Sequence, residues 1–283
     1  MTCELNLLVE GLRYTEAPRW RDGALWFSDF YLHQVLRVDL KGHLDVVATV
    51  PAKPSGLGWR PDGTLLMVSM HDCRLLSCVD GETETVADLS GYVPGPCNDM
   101  LVDHAGRAYI GNFGFDLYGQ EAPRATDLLC VMPDGQVRVV ANDLMFPNGI
   151  VMTRDRRRLI VAETFAHRLS VFDVAEDGSL SGHRVFAELE EACGPDGICI
   201  DAEDGVWIAD ARGKRALRVV EGRGVVDVVN TGDAGCFACA LGGDDGRTLF
   251  LCTAPGYTEA EGMRGEGRIL FTRVEVPAAD YRQ

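Results

Sequence analysis

The sequence predicts an all-β protein folded as a six-bladed β-propeller, in which a strand from the N-terminus completes the last blade. Its apolar segments are short and rich in Val, Leu and Ile, and Asp-Gly or Pro-Asp-Gly turns separate them, as in β-hairpins. One strand–turn–strand unit recurs six times along the 283 residues. Long tandem repeats built from four short strands are typical of propellers.

The six units can be aligned on the last apolar residue of their first strand. The residue four positions earlier marks the start of that strand, and we call it the entry position. The six entry positions are Glu16, Ser55, Asn98, Asn148, Asp196 and Phe237. Successive positions lie 39 to 50 residues apart, so six blades of this size account for nearly the whole chain.

The second strand of each unit follows a turn and closes on a polar residue. These residues are Asp29, Ser69, Asn112, Glu163, Asp210 and Thr253. Polar side chains at strand ends usually bond the backbone of the adjoining turn. A functional role is therefore predicted only for Asn112 and Glu163.

The last unit supplies three strands, near residues 238–242, 248–253 and 267–276, before the chain ends. The segment from Leu8 to Glu16 aligns without a gap with the segment from Val140 to Asn148, an outer strand that runs into the next blade. The N-terminal segment is thus predicted to supply the missing outer strand of the last blade, which removes an open sheet edge. Residues 1–283 are then expected to form one propeller domain.

The charge balance excludes several classes of partner. The chain has 27 Lys and Arg against 43 Asp and Glu, a net charge of −16, which repels phosphate backbones and anionic bilayers. Neither nucleic acid nor a membrane is therefore an expected partner. The run from Arg154 to Arg158 lies at a predicted turn and is expected to be solvated rather than to bind an anion.

Compartment is inferred from the N-terminus and the cysteines. The N-terminus lacks the basic and apolar regions of a secretory signal. The ten cysteines need not form a disulfide framework in a chain of this length. They are expected to be reduced thiols in a cytoplasmic protein, and a zinc site built on Cys236 and Cys239 is the weaker interpretation.

Four entry positions carry a carboxylate or an amide: Glu16, Asn98, Asn148 and Asp196. Because the innermost strands of a propeller line its channel, these side chains are expected to surround the axis. Oxygen donors that include two carboxylates suit Ca²⁺, Mg²⁺ or Mn²⁺. Taken singly, Asn148-Gly149 and Asp196-Gly197 are also explained as turn residues, but the shared register favours a metal site.

Several motifs together carry a family resemblance. They are Glu16-Ala-Pro-Arg-Trp20, Asn98-Asp99 followed by Asp103-x-x-Gly106, Pro147-Asn148-Gly149, and Pro195-Asp196-Gly197. In these motifs and their order the chain resembles the SMP-30/gluconolactonase/luciferin-regenerating-enzyme family. The resemblance covers essentially the whole chain, and it implies a six-bladed propeller that binds one divalent cation in its channel and hydrolyses lactones.

The resemblance also implies roles for individual residues. Glu16, Asn148 and Asp196 are the implied metal ligands, and Asn98 lies beside the metal facing the substrate. Asp196 is in addition the candidate general base, so Asp196 and Asn98 are the predicted catalytic residues. Ca²⁺ is the expected cation, with Mg²⁺, Mn²⁺, Fe²⁺ and Zn²⁺ as alternatives.

The sequence departs from the family at one informative position. Sugar-lactone members carry a substrate-contacting arginine two residues before Asn98, where this chain has Pro96. This difference indicates a less polar pocket, for which Met70, Phe113 and Phe237 are the predicted walls, with Asn98 and Asn112 as polar contacts. The segment 113–127 is either a lid over the channel or a surface loop.

The predicted function is thus a metal-dependent hydrolase that opens a lactone or related ester, with a small molecule as its partner. Two alternatives stay open. The same site suits phosphotriester hydrolysis or another metal-dependent reaction, and the propeller is alternatively a non-catalytic calcium-binding or interaction protein. The physiological substrate and the oligomeric state are left open.

Overall fold

The structure, a computed structural model, describes residues 4–279 and contains six four-stranded antiparallel sheets. Strand β1 (Asn6–Leu12) precedes blade 1. Blade 1 consists of β2 (Thr15–Arg21), β3 (Ala24–Asp29), β4 (Gln34–Asp39) and β5 (Leu44–Thr49). Blade 2 consists of β6 (Pro54–Trp59), β7 (Leu65–Ser69), β8 (Arg74–Val79) and β9 (Glu82–Asp88). Blade 3 consists of β10 (Cys97–Val102), β11 (Ala108–Asn112), β12 (Thr126–Val131) and β13 (Val137–Leu144).

The second half of the chain repeats the arrangement. Blade 4 consists of β14 (Pro147–Met152), β15 (Arg158–Glu163), β16 (Arg168–Val174) and β17 (Leu180–Glu188). Blade 5 consists of β18 (Pro195–Ile200), β19 (Val206–Asp210), β20 (Arg215–Val220) and β21 (Gly224–Asn230). Blade 6 contains β22 (Gly235–Gly242), β23 (Thr248–Ala254) and β24 (Gly267–Arg273), with helix α1 (Glu259–Gly262) between the last two strands.

The N-terminal strand closes the propeller, as the sequence predicts. Strand β1 pairs antiparallel with β24, with Asn6 opposite Phe271 and Leu12 opposite Gly267. The sheet order β1-β24-β23-β22 makes β1 the outer strand of blade 6. The inner strands β2, β6, β10, β14, β18 and β22 contact one another in this order, and β22 returns to β2. The six-bladed all-β fold is thereby confirmed.

The hydrophobic core lies between the blades. Buried apolar side chains of the described residues form seven clusters, and six of them each join two neighbouring blades. Between blades 4 and 5, for example, Val171, Ile198 and Leu217 pack together with at most 3% of each residue exposed. Each sheet therefore buries both faces, which explains its short, continuously apolar strands.

Helix α1 is a single turn that the all-β prediction does not include. The Thr258 hydroxyl accepts a hydrogen bond from the Glu261 backbone N–H, and the Glu261 carboxylate accepts one from the Thr258 backbone N–H. This is a capping box, and its signature, a threonine followed three residues later by glutamate, is present in the sequence. A single turn is too short to show apolar periodicity.

The nine described cysteines are free thiols, and seven of them are buried. Cys239 Sγ lies 3.7 Å from Cys199 Sγ and 3.4 Å from the carbonyl oxygen of Trp207. Cys3 lies outside the described residues. No helix within residues 4–279 is long and apolar enough to cross a membrane.

Neighbouring inner strands approach closely at two glycines. A Cβ added to Gly149 would lie 2.5 Å from the backbone nitrogen of Ile198, and one added to Gly197 would lie 2.6 Å from Cβ of Ala238. Both residues lie inside strands, β14 and β18, and neither has a positive φ. The explanation of Asn148-Gly149 and Asp196-Gly197 as turn residues is therefore wrong. The glycines instead make room for the neighbouring blade.

We expect Gly149→Ala to lower the free energy of unfolding by about 1–3 kcal/mol, because the new methyl group overlaps the backbone of blade 5. Gly91→Ala is the matched control, since its Cβ would meet nothing within 4 Å, and we expect a change of about 0.5 kcal/mol or less. Urea unfolding followed by tryptophan fluorescence measures both. Equal stability of the two variants would show that the inner strands can move apart without penalty.

Candidate active site

The entry positions share one place in every blade. Glu16, Ser55, Asn98, Asn148 and Asp196 are each the second residue of an inner strand, and Phe237 is the third residue of β22. At this point the pairing of each inner strand with its neighbour is irregular. It resumes two or three residues after the last paired residue of the inner strand. Such bulges bend a strand and redirect its side chains. They explain how side chains of one register meet at one end of the channel.

Asn148 and Asp196 are in direct contact. The Asn148 amide Nδ2 donates hydrogen bonds to Asp196 Oδ1 and, over 3.2 Å, to Thr164 Oγ1. The Thr164 hydroxyl in turn donates to the carbonyl oxygen of Pro195 over 2.7 Å. The amide nitrogen of Asn148 is thus fully used, whereas its oxygen accepts no hydrogen bond from residues 4–279 and is available as a ligand.

Glu16 is oriented by two neutral donors. Its Oε1 accepts a hydrogen bond from the Tyr14 hydroxyl over 3.4 Å, and its Oε2 accepts one from the Ala17 backbone N–H over 3.2 Å. Sequence reasoning missed Tyr14. Tyr14 lies in the link between β1 and β2, so strand periodicity gives no signal for it.

The two carboxylates are buried with no cationic side chain beside them. Glu16 is 6% exposed and Asp196 is 8% exposed. Burial, followed by the charges of Asp196 and Asp99, raises the pKa of Glu16 well above its ordinary value. Burial likewise raises the pKa of Asp196, opposed by the hydrogen bond from Asn148 and reinforced by the charge of Asp99. The ionised forms of both carboxylates are therefore unfavourable here unless a cation compensates their charge.

Arg19, three residues after Glu16, is paired with Asp99. Arg19 Nη2 lies 2.8 Å from Asp99 Oδ1 and donates a second bond, over 2.7 Å, to the carbonyl oxygen of Met100. Within the described part of the chain neither Glu16 nor Asp196 forms an ion pair. Both Arg19 and Asp99 belong to motifs that the sequence singles out, but their pairing joins blades 1 and 3 and has no local sequence signature.

The residues fit a hard divalent cation. Carboxylate and amide oxygens converge here from different blades, and two carboxylates balance two positive charges. No cluster of three or more His, Cys, Asp or Glu side chains suited to a metal occurs among residues 4–279, so a cation here would depend on amide oxygens as well. Asn98 is 6% exposed, and its Nδ2 has no hydrogen-bond partner among the described residues. Its amide is thus free to meet a ligand.

An aromatic cluster covers this end of the channel. It consists of Tyr14, Phe30, Tyr31, Met70, Phe113, Phe115, Phe146, Phe237 and Ala254, all buried. The Tyr14 ring lies 4.9 Å from that of Phe237, and the Phe113 ring stacks on Phe146 at 4.4 Å. The three predicted walls, Met70, Phe113 and Phe237, are therefore gathered in one cluster with the tyrosine that contacts Glu16.

Pro96 lies against the same cluster. Its carbonyl oxygen accepts a hydrogen bond from the Phe113 backbone N–H over 2.9 Å, and the next residue, Cys97, donates to the carbonyl oxygen of Met70 over 3.1 Å. The backbone at Pro96 and Cys97 is thus tied to the backbone of two members of the aromatic cluster.

Asn112 is fully buried, and its side chain is occupied by the protein. Its Nδ2 donates to the carbonyl oxygen of Asp127 over 2.7 Å, and its Oδ1 accepts from Gly114 N–H and the Thr126 hydroxyl. These bonds hold the two ends of the segment 113–127 together. Substrate contact by Asn112 stays a sequence-based prediction and enters no step proposed below.

The segment 113–127 reaches toward the carboxylates through Tyr118. Its ring lies 6.2 Å from Phe113 and 6.1 Å from His71, and the ammonium group of Lys53 is 5.7 Å from its centre. Burial raises the pKa of Tyr118 to about 12, and the charges of Glu16 and Asp196 contribute to the shift. Tyr118 therefore lies over the channel end, close enough to sense both carboxylates.

Three strand-end carboxylates fasten the segments that lead into the site. Asp29 accepts from Arg13 N–H over 2.8 Å, Glu163 from Met145 N–H over 2.8 Å, and Asp210 from Gly194 N–H over 3.0 Å. These donors lie two or three residues before Glu16, Asn148 and Asp196, respectively. The carboxylates thus occur in the three blades that carry the implied metal ligands. All oxygens of Glu163 are engaged by Met145, Arg168 and Ser170, which assigns it to this structural set.

Comparisons with known proteins identify a family model, curated relatives and solved structures that are similar to this chain. The family model described as the SMP-30/Gluconolactonase/LRE-like region matches residues 14–255. A 6-deoxy-6-sulfogluconolactonase from Pseudomonas putida is 26% identical over 270 residues, which cover 93% of this chain and 91% of that protein. A pentonolactonase from Haloferax volcanii is 27% identical over 259 residues, with coverage of 90% and 86%. The solved structure of a calcium-binding protein, regucalcin, from Agrobacterium tumefaciens shares the fold, with a TM-score of 0.84, 21% identity and coverage of 100% and 99%.

We expect Asp210→Ala to lower the free energy of unfolding by about 3 kcal/mol or more, since it leaves Arg215 and three backbone N–H groups without their buried partner. Glu190→Ala removes the exposed partner of the same Arg215 and should change stability by about 1 kcal/mol or less. Chemical denaturation of both variants makes the comparison. Similar losses would mean that Asp210 does not fasten the segment before Asp196.

Proposed function

The chain belongs to the SMP-30/gluconolactonase/LRE-like family, and from this premise we propose that it is a metal-dependent lactonase that hydrolyses a cyclic ester. The two relatives named above for lactonases support the reaction class. The observation that carries the proposal is the burial of Glu16 and of Asp196, which Asn148 contacts, while neither carboxylate forms an ion pair within residues 4–279. Two buried carboxylates favour a divalent cation. A bound cation in turn favours a substrate whose carbonyl oxygen can coordinate it.

Glu16, Asn148 and Asp196 are the residues that would hold the cation, and Ca²⁺ suits their hard oxygen donors. When bound, the cation would polarise the ester carbonyl and stabilise negative charge on its oxygen. Tyr14 and the backbone N–H of Ala17 hold Glu16 in place. The hydrogen bond from Asn148 and the fastening of Gly194 by Asp210 hold Asp196.

Asp196 acts as the general base in the proposed reaction. Its carboxylate takes a proton from water as the water oxygen adds to the ester carbon. The ring C–O bond then breaks, and the proton passes to the departing ring oxygen, which leaves as the hydroxyl of a hydroxy acid. Asn98, whose buried Nδ2 lacks a partner among the described residues, orients the substrate through a hydrogen bond.

The aromatic cluster favours a lactone with an apolar substituent. Phe113, Phe237 and Met70 are buried together at the channel end, and Pro96 replaces the arginine of sugar-lactone enzymes. An apolar ring substituent gains free energy by leaving water for such a surface, whereas sugar hydroxyls would lose hydrogen bonds there. We therefore extend the proposal to alkyl- or aryl-substituted lactones.

A panel of lactones assayed with a pH indicator tests the function. We expect hydrolysis that EDTA abolishes and one divalent cation restores, with alkyl- and aryl-substituted lactones turned over faster than sugar lactones. Hydrolysis that survives complete removal of metal would contradict the cation dependence. Turnover of phosphotriesters alone would favour the other hydrolytic reaction. Cation binding without turnover of any ester would favour a non-catalytic calcium-binding propeller.

We expect Asp196→Asn to lower kcat by at least about 100-fold, because the general base is lost while the side chain keeps its size. Cation affinity is measured in parallel by titration calorimetry, and kcat is measured at saturating cation, so that lost ligation is not mistaken for lost proton transfer. Glu84→Gln, an exposed change of the same charge on β9, should leave kcat unchanged. Near-normal kcat in Asp196→Asn at saturating cation would remove Asp196 from the role of base.

A further inference from the structure

A cavity lies at the end of the inner strands opposite the entry positions. Its volume is about 660 Å³, within the usual range for small-molecule sites. It is lined by the last residues of β2, β6, β10 and β14 and by the turns that follow them, including Arg21, Trp59, Val102 and Met152. The entry positions Glu16, Asn98 and Asn148 lie at the other ends of three of these strands. The cavity is thus separate from the proposed catalytic site.

The lining is basic although the chain carries a net charge of −16. Five arginines and one histidine border the cavity: Arg19, Arg21, Arg60, Arg154, Arg156 and His104. Among residues 4–279, two carboxylates line the cavity, and both are already paired, Asp103 with Arg107 and Asp22 with Arg21. We call this pocket the arginine cavity.

Three of the five guanidinium groups form no ion pair with the described residues, although hydrogen bonds from Thr64, helped by the charge of Arg60, lower the pKa of the neighbouring Asp62. Arg60, Arg154 and Arg156 form no ion pair within residues 4–279, whereas Arg19 is paired with Asp99. The Nε of Arg60 is buried without a hydrogen-bond partner among the described residues, and its Nη2 makes only a 3.5 Å contact with the carbonyl oxygen of Pro133. A buried donor without a partner is unfavourable, so an acceptor in the cavity would stabilise Arg60.

The run from Arg154 to Arg157 lies in the turn between β14 and β15, and Arg154, Arg156 and Arg157 are exposed, as the sequence predicts. Arg158 pairs with Glu221 over 2.6 Å, and Arg157 does not line the cavity. Arg154 and Arg156 do line it, opposite Arg60 from blade 2. The run thus divides into arginines that face the cavity and arginines that do not.

Arg21 is held in place by an aromatic wall. Its guanidinium lies 4.9 Å from the centre of the Trp59 ring, and Trp59 packs edge-on against Trp26 at 5.4 Å. A guanidinium that is already oriented loses less side-chain entropy when it binds an anion.

We propose that the arginine cavity binds a small, multiply charged anion that carries phosphate groups or several carboxylates. Planar guanidinium groups bind these anions through paired, charge-assisted hydrogen bonds. The guanidinium groups of Arg60, Arg154 and Arg156 form no ion pair within residues 4–279 and repel one another. An anion with two or more charges relieves this repulsion. A singly charged anion would leave part of it.

The test is a titration of the full chain with pyrophosphate at low ionic strength, in buffer that contains EDTA so that no divalent cation takes part. Calorimetry should give saturable binding of one anion per chain, weakened by added salt. Arg60→Gln and Arg154→Gln should each weaken binding by about tenfold or more, because each removes a charge-assisted hydrogen bond. Arg157→Gln, from the same turn but outside the cavity, should change the affinity by less than about twofold.

A parallel titration with tricarballylate separates the two ligand chemistries, and tighter binding of either anion supports the site and identifies the group it prefers. Circular dichroism melting of every variant establishes that each one is folded. The proposal is overturned if neither anion binds saturably, or if Arg157→Gln weakens binding as much as Arg60→Gln does. The second result would mean diffuse attraction to the arginine-rich turn. Glu16→Gln should bind pyrophosphate normally, so the outcome does not depend on the lactonase proposal.

Discussion

The burial of two carboxylates without an ion-pair partner among residues 4–279 is the constraint on which the rest of the site depends. Glu16 and Asp196 come from blades 1 and 5 and are both nearly inaccessible to water. Their hydrogen-bond donors within residues 4–279, Tyr14, Ala17 and Asn148, are all neutral. Neutral donors fix the positions of the oxygens but leave the like charges uncompensated. The folded chain therefore presents a charge for which a divalent cation is the natural complement.

Residues other than the proposed ligands keep the two carboxylates in position. Gly149 and Gly197 let neighbouring inner strands approach closely, and the carboxylates of Asp29, Glu163 and Asp210 fasten the backbone just before each implied ligand. Arg19 is paired with Asp99 and forms no ion pair with Glu16 or Asp196. The site is thus organised by packing and hydrogen bonds before any ligand binds.

The repeat could be predicted from the sequence because it depends on local patterns. Strand length, turn residues and spacing give the six blades, the closure by the N-terminal strand and the shared register of Glu16, Asn98, Asn148 and Asp196. The pairing of Arg19 with Asp99 joins residues 80 positions apart, and no local pattern encodes it. Helix α1 is not predicted although its capping box is local, because apolar periodicity is the signal for helices and a single turn does not show it. The cavity around Arg60 and Arg154 likewise depends on how blades 2 and 4 face each other.

The strand that closes the propeller also leads directly into the proposed catalytic site. Strand β1 ends at Leu12, and only Arg13, Tyr14 and Thr15 separate it from Glu16. Its partner β24 begins more than 250 residues after β1 ends. The seam therefore forms only after β24 has been synthesised, and until then β1 lacks the strand that anchors it on the N-terminal side of Glu16.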